Sequence, residues 1–395
     1  MAVGDSIKLD FKTERDPDTG ASVRKLSPDG GDTLAPYFTQ NMTSADGDLV
    51  LVASSVTGSW QVHFIDLRNH RMVQASRELG VSMHAPAMDA NGRVAYYWAG
   101  RVLRKVDFAT LRGEALYEAP EGFHGSNLSI DASGRYLAFA YMENVNLSTT
   151  TSENFRSGMV EHLYRHPTCV VVRFDLREGR PEAVWGERQW ITHVNISPVN
   201  PDLVLFCHEG PWDRVQRMWV ARASTGECWP VLNRKKFVEQ DGHEFFTGSG
   251  RVVTQFGGRA PEDGTWREFC LMIDPEGTNE DRYAFPASGQ PVYLQRPAHI
   301  QAAHKDESLL VGDASFPVGE EDRYGRSFMS LLRLTDDRKV AFKPLCKHDT
   351  SWTSQESHPH PFFAPDDSSV FFNSDRGGSV NLYQVPDLEA FRGDF

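Results

Sequence analysis

A chain of 395 residues, 40% hydrophobic and 24% charged, can bury a large core and carries no composition signature of disorder or of a fibre. The net charge of −13, with no basic run to neutralise phosphates, excludes nucleic acid as a partner. The opening MAVGDSIKLDFKTERD lacks an apolar leader core, no stretch approaches the roughly 18 uncharged apolar residues of a membrane span, and the five cysteines are widely spaced with no CxxC pair; a soluble protein of a reducing cytoplasm is expected.

In chain order, Ser22–Ser27 (SVRKLS) reads as a strand without a unit of its own. One turn chemistry then recurs: ADG at Ala45–Gly47, DANG at Asp89–Gly92, DASG at Asp131–Gly134, NPD at Asn200–Asp202, TGSG at Thr247–Gly250, KDES at Lys305–Ser308 and PDDS at Pro365–Ser368. Each turn precedes a β-rich run, in order LVLVASS, RVAYYWA, RYLAFAY, LVLFCHE, RVVTQFG, LLVGDAS and VFFNSD. A further strand follows each: VHFIDLRN, VLRKVDFA, VVVRFDLR, MWVARAST, FCLMIDPE, MSLLRLTD and NLYQVPD. Seven such units, with a period of about 40–60 residues, fit the four-stranded blades of a β-propeller better than helical repeats.

The last unit lacks a strand after Asp387, so the SVRKLS strand is expected to complete it and close the ring, which removes exposed sheet edges. The interval from Asp107 to Asp175, 68 residues, is unusually long. Its excess lies in Glu143–Pro167, where SENFRSGMVEHLYRH has helical spacing and a serine placed to cap it, and this predicts a helical insertion in blade three. The expected fold class is therefore all-β: one seven-bladed propeller domain over residues 1–395.

Eight of the fourteen histidines lie within about ten residues on the N-terminal side of a turn: His84, His124, His193, His243, His299, His304, His358 and His360. That segment is the innermost strand of a blade, so their side chains can converge on the propeller axis. In Gln355-Glu-Ser-His358-Pro-His360, imidazoles at i and i+2 of an extended segment share a face and can bind one cation, and Pro359 favours the extended backbone. Two nitrogens with an amide oxygen suit Mn, Fe, Ni or Zn better than Ca or Mg. Alone, an HxH could equally be two hydrogen-bonded surface histidines; the clustering favours ligands. Cys207-His208-Glu209-Gly210-Pro211-Trp212, followed by Arg217-Met218-Trp219, could be a pocket loop or a structural one in which His208 pairs with Glu209 and Trp212 packs. His243, in Asp241-Gly-His-Glu-Phe-Phe246, opens an inner strand, where a lone histidine is usually a satisfied core or turn residue.

These strings, FCHEGPW with RMW, GHEFF, LVGD, LCKHDTSW and QESHPHPFFAPDDSSVFFNSD, resemble the oligogalacturonate lyases, seven-bladed propeller enzymes of pectin degradation. The resemblance runs over nearly the whole chain and includes HPTCVVVRFDLREG; CHEGP and QxxHxHP are its most specific parts. It implies a manganese-type centre held by Gln355, His358 and His360 with a histidine of the preceding blade, His299, for which His304 is the weaker candidate. It implies His243 as Brønsted base and Arg217 as the arginine that binds substrate, with His208 and His193 as pocket neighbours.

The chemistry asks for the same residue types. β-Elimination of a 4-linked uronate removes a weakly acidic proton beside a carboxylate, so a divalent cation must stabilise the enediolate and a near-neutral imidazole must take the proton. An arginine can hold a second carboxylate with two parallel hydrogen bonds. The expected function is a metal-dependent lyase acting on short imported galacturonate oligosaccharides. Two alternatives stand beside it: a lyase for another uronate-containing oligosaccharide, and a non-catalytic scaffolding propeller whose histidines are structural. A peptidase-associated propeller is disfavoured because no GxSxG hydrolase segment follows the repeats.

Overall fold

The computed structural model describes residues 1–89, 91–147, 155–211, 214–232, 240–259, 263–286, 296–313, 328–393 and 395. The repeating turns are built by local hydrogen bonds. At Asp131–Gly134 the Gly134 N–H donates to the Asp131 carbonyl (2.9 Å) and the Asp131 carboxylate accepts from the Tyr136 N–H at the start of the next strand (2.7 Å). Asp89 caps Arg93 and Val94 in the same way, at 2.7 and 2.8 Å. Gly92 there has φ 68°, and a Cβ would lie 2.2 Å from the Ser44 Cα, so the position needs glycine twice over.

Seven antiparallel sheets follow, and the fold is an all-β, seven-bladed β-propeller. Blade one contains Thr33–Leu34, Leu49–Ser54, Gln61–Asp66 and Arg71–Gln74; blade two contains Ala87–Met88, Val94–Ala99, Val102–Asp107 and Gly113–Glu118. Blade three contains Phe123–Gly125 and Ser129–Ile130, both on Tyr136–Glu143, then Cys169–Asp175 and Arg180–Glu187. Blade four contains Ile191–Ile196, Leu203–His208, Met218–Arg222 and Cys228–Pro230; blade five contains Gln240–Phe246, Val252–Arg259, Trp266–Ile273 and Asp281–Ala284. Blade six contains Ile300–Ala302, Leu309–Gly312, Phe328–Leu334 and Val340–Lys347; blade seven contains Phe362–Phe363, Val370–Ser374 and Asn381–Val385. Every run read as a strand after a turn is one, although Ala314 and Ser315 at the end of LLVGDAS lie outside the described residues.

Blade seven is completed as the sequence implied. Ser22–Lys25 pairs antiparallel with Asn381–Val385, Arg24 opposite Gln384 and Lys25 opposite Tyr383. Two additions carried no readable signal: Thr13–Arg15 extends this blade and Ser6–Lys8 extends blade one, each a three-residue strand on an outer edge. The predicted insertion is an α-helix, Phe155–Arg165, between the strands Tyr136–Glu143 and Cys169–Asp175 of blade three; Ser152, the serine placed to cap it, lies outside the described residues. The helix stacks His162 on Trp190 at 3.8 Å between ring centroids, and the Tyr164 hydroxyl accepts from Arg214 at 2.9 Å.

Alternation along a strand explains why the central strands are apolar throughout. Phe371 and Leu382 pack with Leu26, Val50 and Ile65, while their neighbours Phe372 and Tyr383 pack with Val23, Val311 and Leu331. Both faces of the strand are covered, so both side-chain sets are apolar. Ala140, Val171, Ile196 and Phe206 form a comparable layer between blades three and four. Residue contacts divide the chain into two compact units, one of 1–95, 106–113 and 283–395, the other of 96–105 and 114–282. Among the described residues no helix is long and apolar enough to cross a membrane.

Deleting residues 1–27 removes the closing strand together with buried Val23 and Leu26. At about 1.5–3 kcal/mol for each such side chain, the loss is expected to reach at least about 3 kcal/mol, read as a lower urea midpoint, with aggregation through the bared Asn381–Val385 edge.

Candidate functional site

In the first unit, His299 immediately precedes the first strand of blade six, and His358 and His360 precede that of blade seven. Donor atoms of these three buried histidines all lie within 4.8 Å of one another. With metal–nitrogen bonds of about 2.0–2.2 Å, that spacing suits one shared ion. The pair is not a simple extended HxH, however. His358 is extended, with φ −67° and ψ 137°, whereas His360 is left-handed at φ 44°, and this kink turns the two rings toward each other at 5.5 Å. The Gln355 amide, on a short 3-10 turn, reaches to 3.5 Å from His360 Nε2.

Asp313, the last residue of LVGD, accepts from the His299 backbone N–H (2.7 Å) and lies 2.6 Å from His299 Nδ1. It thereby holds the proton on Nδ1 and leaves the Nε2 lone pair outward, the usual carboxylate support of a metal-binding imidazole. Burial, reinforced by His299 and His84, pushes His358 down to about 3, so it is neutral and one ring nitrogen keeps its lone pair free of a proton. Aromatic rings fix the imidazole planes: Phe38 stacks on His360 at 5.6 Å and meets His299 edge-on at 5.4 Å, and Trp352 lies 5.0 Å from His358. Asp313, Phe38 and Trp352 were not singled out in the sequence; of these only the aspartate, ending a strand beside a histidine-bearing segment, left a signal to follow.

The other histidines before turns part company. His84 lies 3.8 Å from Glu356. His304 is exposed and takes no place in the cluster, its backbone N–H donating to Asp367. His124 is exposed on blade three, 2.6 Å from the Asn144 side chain.

In the second unit, His193 and His243 occupy matching irregularities. The first strand of blade four slips register between Thr192 and Asn195, and that of blade five between Gly242 and Phe245. Each bulge puts its histidine in the left-handed region, φ 51° for His193 and 58° for His243, and re-aims the side chain. The two rings then stand 6.1 Å apart. The Asn195 amide donates to the His193 carbonyl at 2.9 Å and holds the first bulge.

Arg217, expected to grip a substrate carboxylate, has two carboxylates of the protein instead. Its Nε donates to Glu244 at 2.8 Å and its Nη1 to Glu209 at 2.9 Å, with the side chain 2% exposed. Burial would raise both glutamates, but Arg217 and His193 outweigh it: Glu244 is held below the usual carboxylate range and Glu209 falls to about 2. Glu209 therefore pairs with Arg217 and not with His208, whose Nε2 lies 2.6 Å from Glu187 and whose ring packs on Trp219 at 5.0 Å. Trp212 lies outside the described residues. His193, Cys207 and Glu209 form a second donor group by spacing, but Glu209 already carries the guanidinium and burial holds the Cys207 thiol well above its ordinary range, so this group suits a cation poorly.

A β-propeller with three convergent imidazoles that could hold one metal ion, and an amide beside them, is the class that fold and donor set define. The family model described as "Oligogalacturonate lyase" matches residues 1–389. The oligogalacturonide lyase of Pectobacterium atrosepticum is 29% identical, over 98% of this chain and 99% of that protein, and the oligogalacturonate lyase of Dickeya dadantii is 27% identical over the same shares. A solved structure of oligogalacturonate lyase in complex with manganese superposes with a TM-score of 0.84 at 26% identity, covering 99% of each chain. The chain belongs to the oligogalacturonate lyase family.

Replacing Arg217 with alanine leaves Glu209 and Glu244 buried without their cation, a loss of about 3–5 kcal/mol in denaturant unfolding. The sign of the pH response then reverses. In the native protein both carboxylates sit below their unfolded values, so their contribution is present above about pH 4.5 and is lost as pH falls toward 2. In the variant they rise above the unfolded value, and its melting temperature should climb as pH drops from about 7 to 5 while that of the native protein does not.

Proposed function

We propose that this protein is a cytoplasmic, metal-dependent lyase that cleaves short 4-linked galacturonate oligosaccharides by β-elimination. The observation that carries the reading is the His299–His358–His360 cluster with its Asp313 support, in a member of this lyase family. His299, His358 and His360, with the Gln355 amide oxygen, would hold the ion, and manganese is proposed because the donors are borderline and a family structure is a manganese complex. When bound, a divalent cation stabilises the negative charge that develops on the uronate carboxylate as C5 loses its proton.

His243 is assigned the base. Its neutral imidazole takes the C5 proton, the C5–H electron pair forms the C4–C5 double bond, and the C4–O4 bond breaks with its pair on oxygen, which water protonates. His208 is proposed as a neighbour of the sugar, and His193 as a residue of the same pocket that does not contact it. Arg217 is proposed to act at one remove, by holding Glu209 and Glu244 in place. The cytoplasmic setting is supported by the five cysteines, all unpaired and four of them buried, and by the short substrate, which is met where imported fragments arrive.

Oligogalacturonate added with Mn²⁺ should produce the ultraviolet absorbance of the new double bond. No absorbance with galacturonate oligomers, but a strong signal with another uronate, would move the substrate assignment. His358→Ala is expected to lose both metal and turnover, whereas His243→Ala should keep the metal and lose about 10²–10⁴ in kcat. A His243→Ala enzyme with only a raised KM would make this residue a binder. Asp313→Asn should weaken the ion's dissociation constant by about 10–100-fold, measured by calorimetric titration of the purified protein with Mn²⁺.

A further inference from the structure

The second unit buries two carboxylates against one guanidinium. Glu244 is wholly buried, the Glu209 side chain is 14% exposed and Arg217 is 2% exposed, so with both carboxylates ionised the trio carries a net negative charge in a low-dielectric place. Such a charge is costly unless a further cation completes it. His193 stands where that cation belongs. Its Nε2 lies 3.6 Å from Glu209 Oε2 and its Nδ1 lies 3.9 Å from Glu244 Oε1. A neutral imidazole carries one N–H and could serve one of these oxygens; an imidazolium carries two and serves both. Among the described residues, Glu244 Oε1 is buried and accepts no hydrogen bond, which makes it the oxygen most in need of the second proton.

We infer that His193 is a resident imidazolium, the fourth charge of this buried network, and that it positions His243 as an uncharged base. The second half rests on the role given to His243 above. Among the described residues, the groups bonded to Glu209 do not supply the missing charge. Thr192 donates to Glu209 as a neutral hydroxyl, and the Cys207 thiol stays protonated through burial. With its own charge matched by the two glutamates, His193 is insensitive to modest changes of pH. His243, with its ring 6.1 Å away, meets that fixed positive charge and gives up its own proton more readily. Two histidines 50 positions apart in sequence are thus driven to opposite protonation states by their surroundings, the pattern that separates acid from base in catalytic pairs. His193 is a positioning residue in this scheme, since both of its nitrogens face protein carboxylates.

The test is a ring-proton titration by NMR of the substrate-free, full-length protein, with the His193 signal assigned through its own backbone correlations. The expected result is an imidazolium signature at pH 7 and a midpoint well above the ordinary histidine value of about 6.5, falling in Glu244→Gln. A neutral His193 at pH 7 overturns the proposal whatever the enzyme does. In lyase assays, His193→Gln should shift the acidic limb of the kcat/KM profile upward by about one pH unit, as expected for removing a charge at this separation. A lowered plateau with an unmoved limb would make His193 structural only and would overturn the positioning role. A charged His193 in a protein with no lyase activity would instead sink the functional reading above and leave the ion network standing.

Discussion

The pairing of Ser22–Lys25 with Asn381–Val385 joins the two ends of the chain within one blade. A sheet repeated around a ring must satisfy its last edge, and an unpaired Asn381–Val385 would present a row of free amides and carbonyls. Closure also bears on chemistry. His358 and His360 lead into the first strand of the blade that this pairing completes, and Phe371 and Phe372, two strands' width from the joint, wedge that blade between its neighbours' apolar layers. The imidazoles are thus held by a sheet whose own integrity depends on residues more than 330 positions earlier in the chain.

The two histidine clusters deal with charge in opposite ways. Around His299, His358 and His360 burial keeps the His358 imidazole neutral, a single carboxylate fixes the His299 tautomer, and aromatic faces set the ring planes. Around His193 and His243, ions are matched against ions, with Arg217 serving two glutamates at once. A protein of net charge −13 repels an anionic substrate at long range, so attraction must come from short-range features that the protein's overall field does not cancel. A group of three imidazoles spaced so that it could hold a metal ion is one such feature.

Much of the architecture was legible because turn chemistry is local. Gly92 and Gly134 after aspartates, each followed by a β-rich run, announce a tight turn wherever they occur, and the closing strand was betrayed by a last unit one strand short. The outer strands Ser6–Lys8 and Thr13–Arg15 left no trace, since three mostly exposed residues carry no alternation to read. Among site residues, the metal-type donors came from spacing and family likeness, whereas the left-handed turn at His360 has no local signature. Arg217 shows the limit most clearly. An arginine in a pocket motif suggests a free receptor for carboxylates; only three-dimensional proximity reveals that Glu209, eight residues back, and Glu244, on the next blade, have already claimed it.

The helical insertion of blade three, Phe155–Arg165, lies far in sequence from the segment it touches. Its Tyr164 takes a hydrogen bond from Arg214 and its His162 lies flat on Trp190, so it braces both ends of a stretch that begins beside His193, carries Glu209 and stops just short of Arg217. The helix contributes no strand to any of the seven sheets, so rewriting its residues removes no strand pairing. Because it leans on that stretch, such rewriting gives evolution a dial on the ion network that leaves the seven blades untouched.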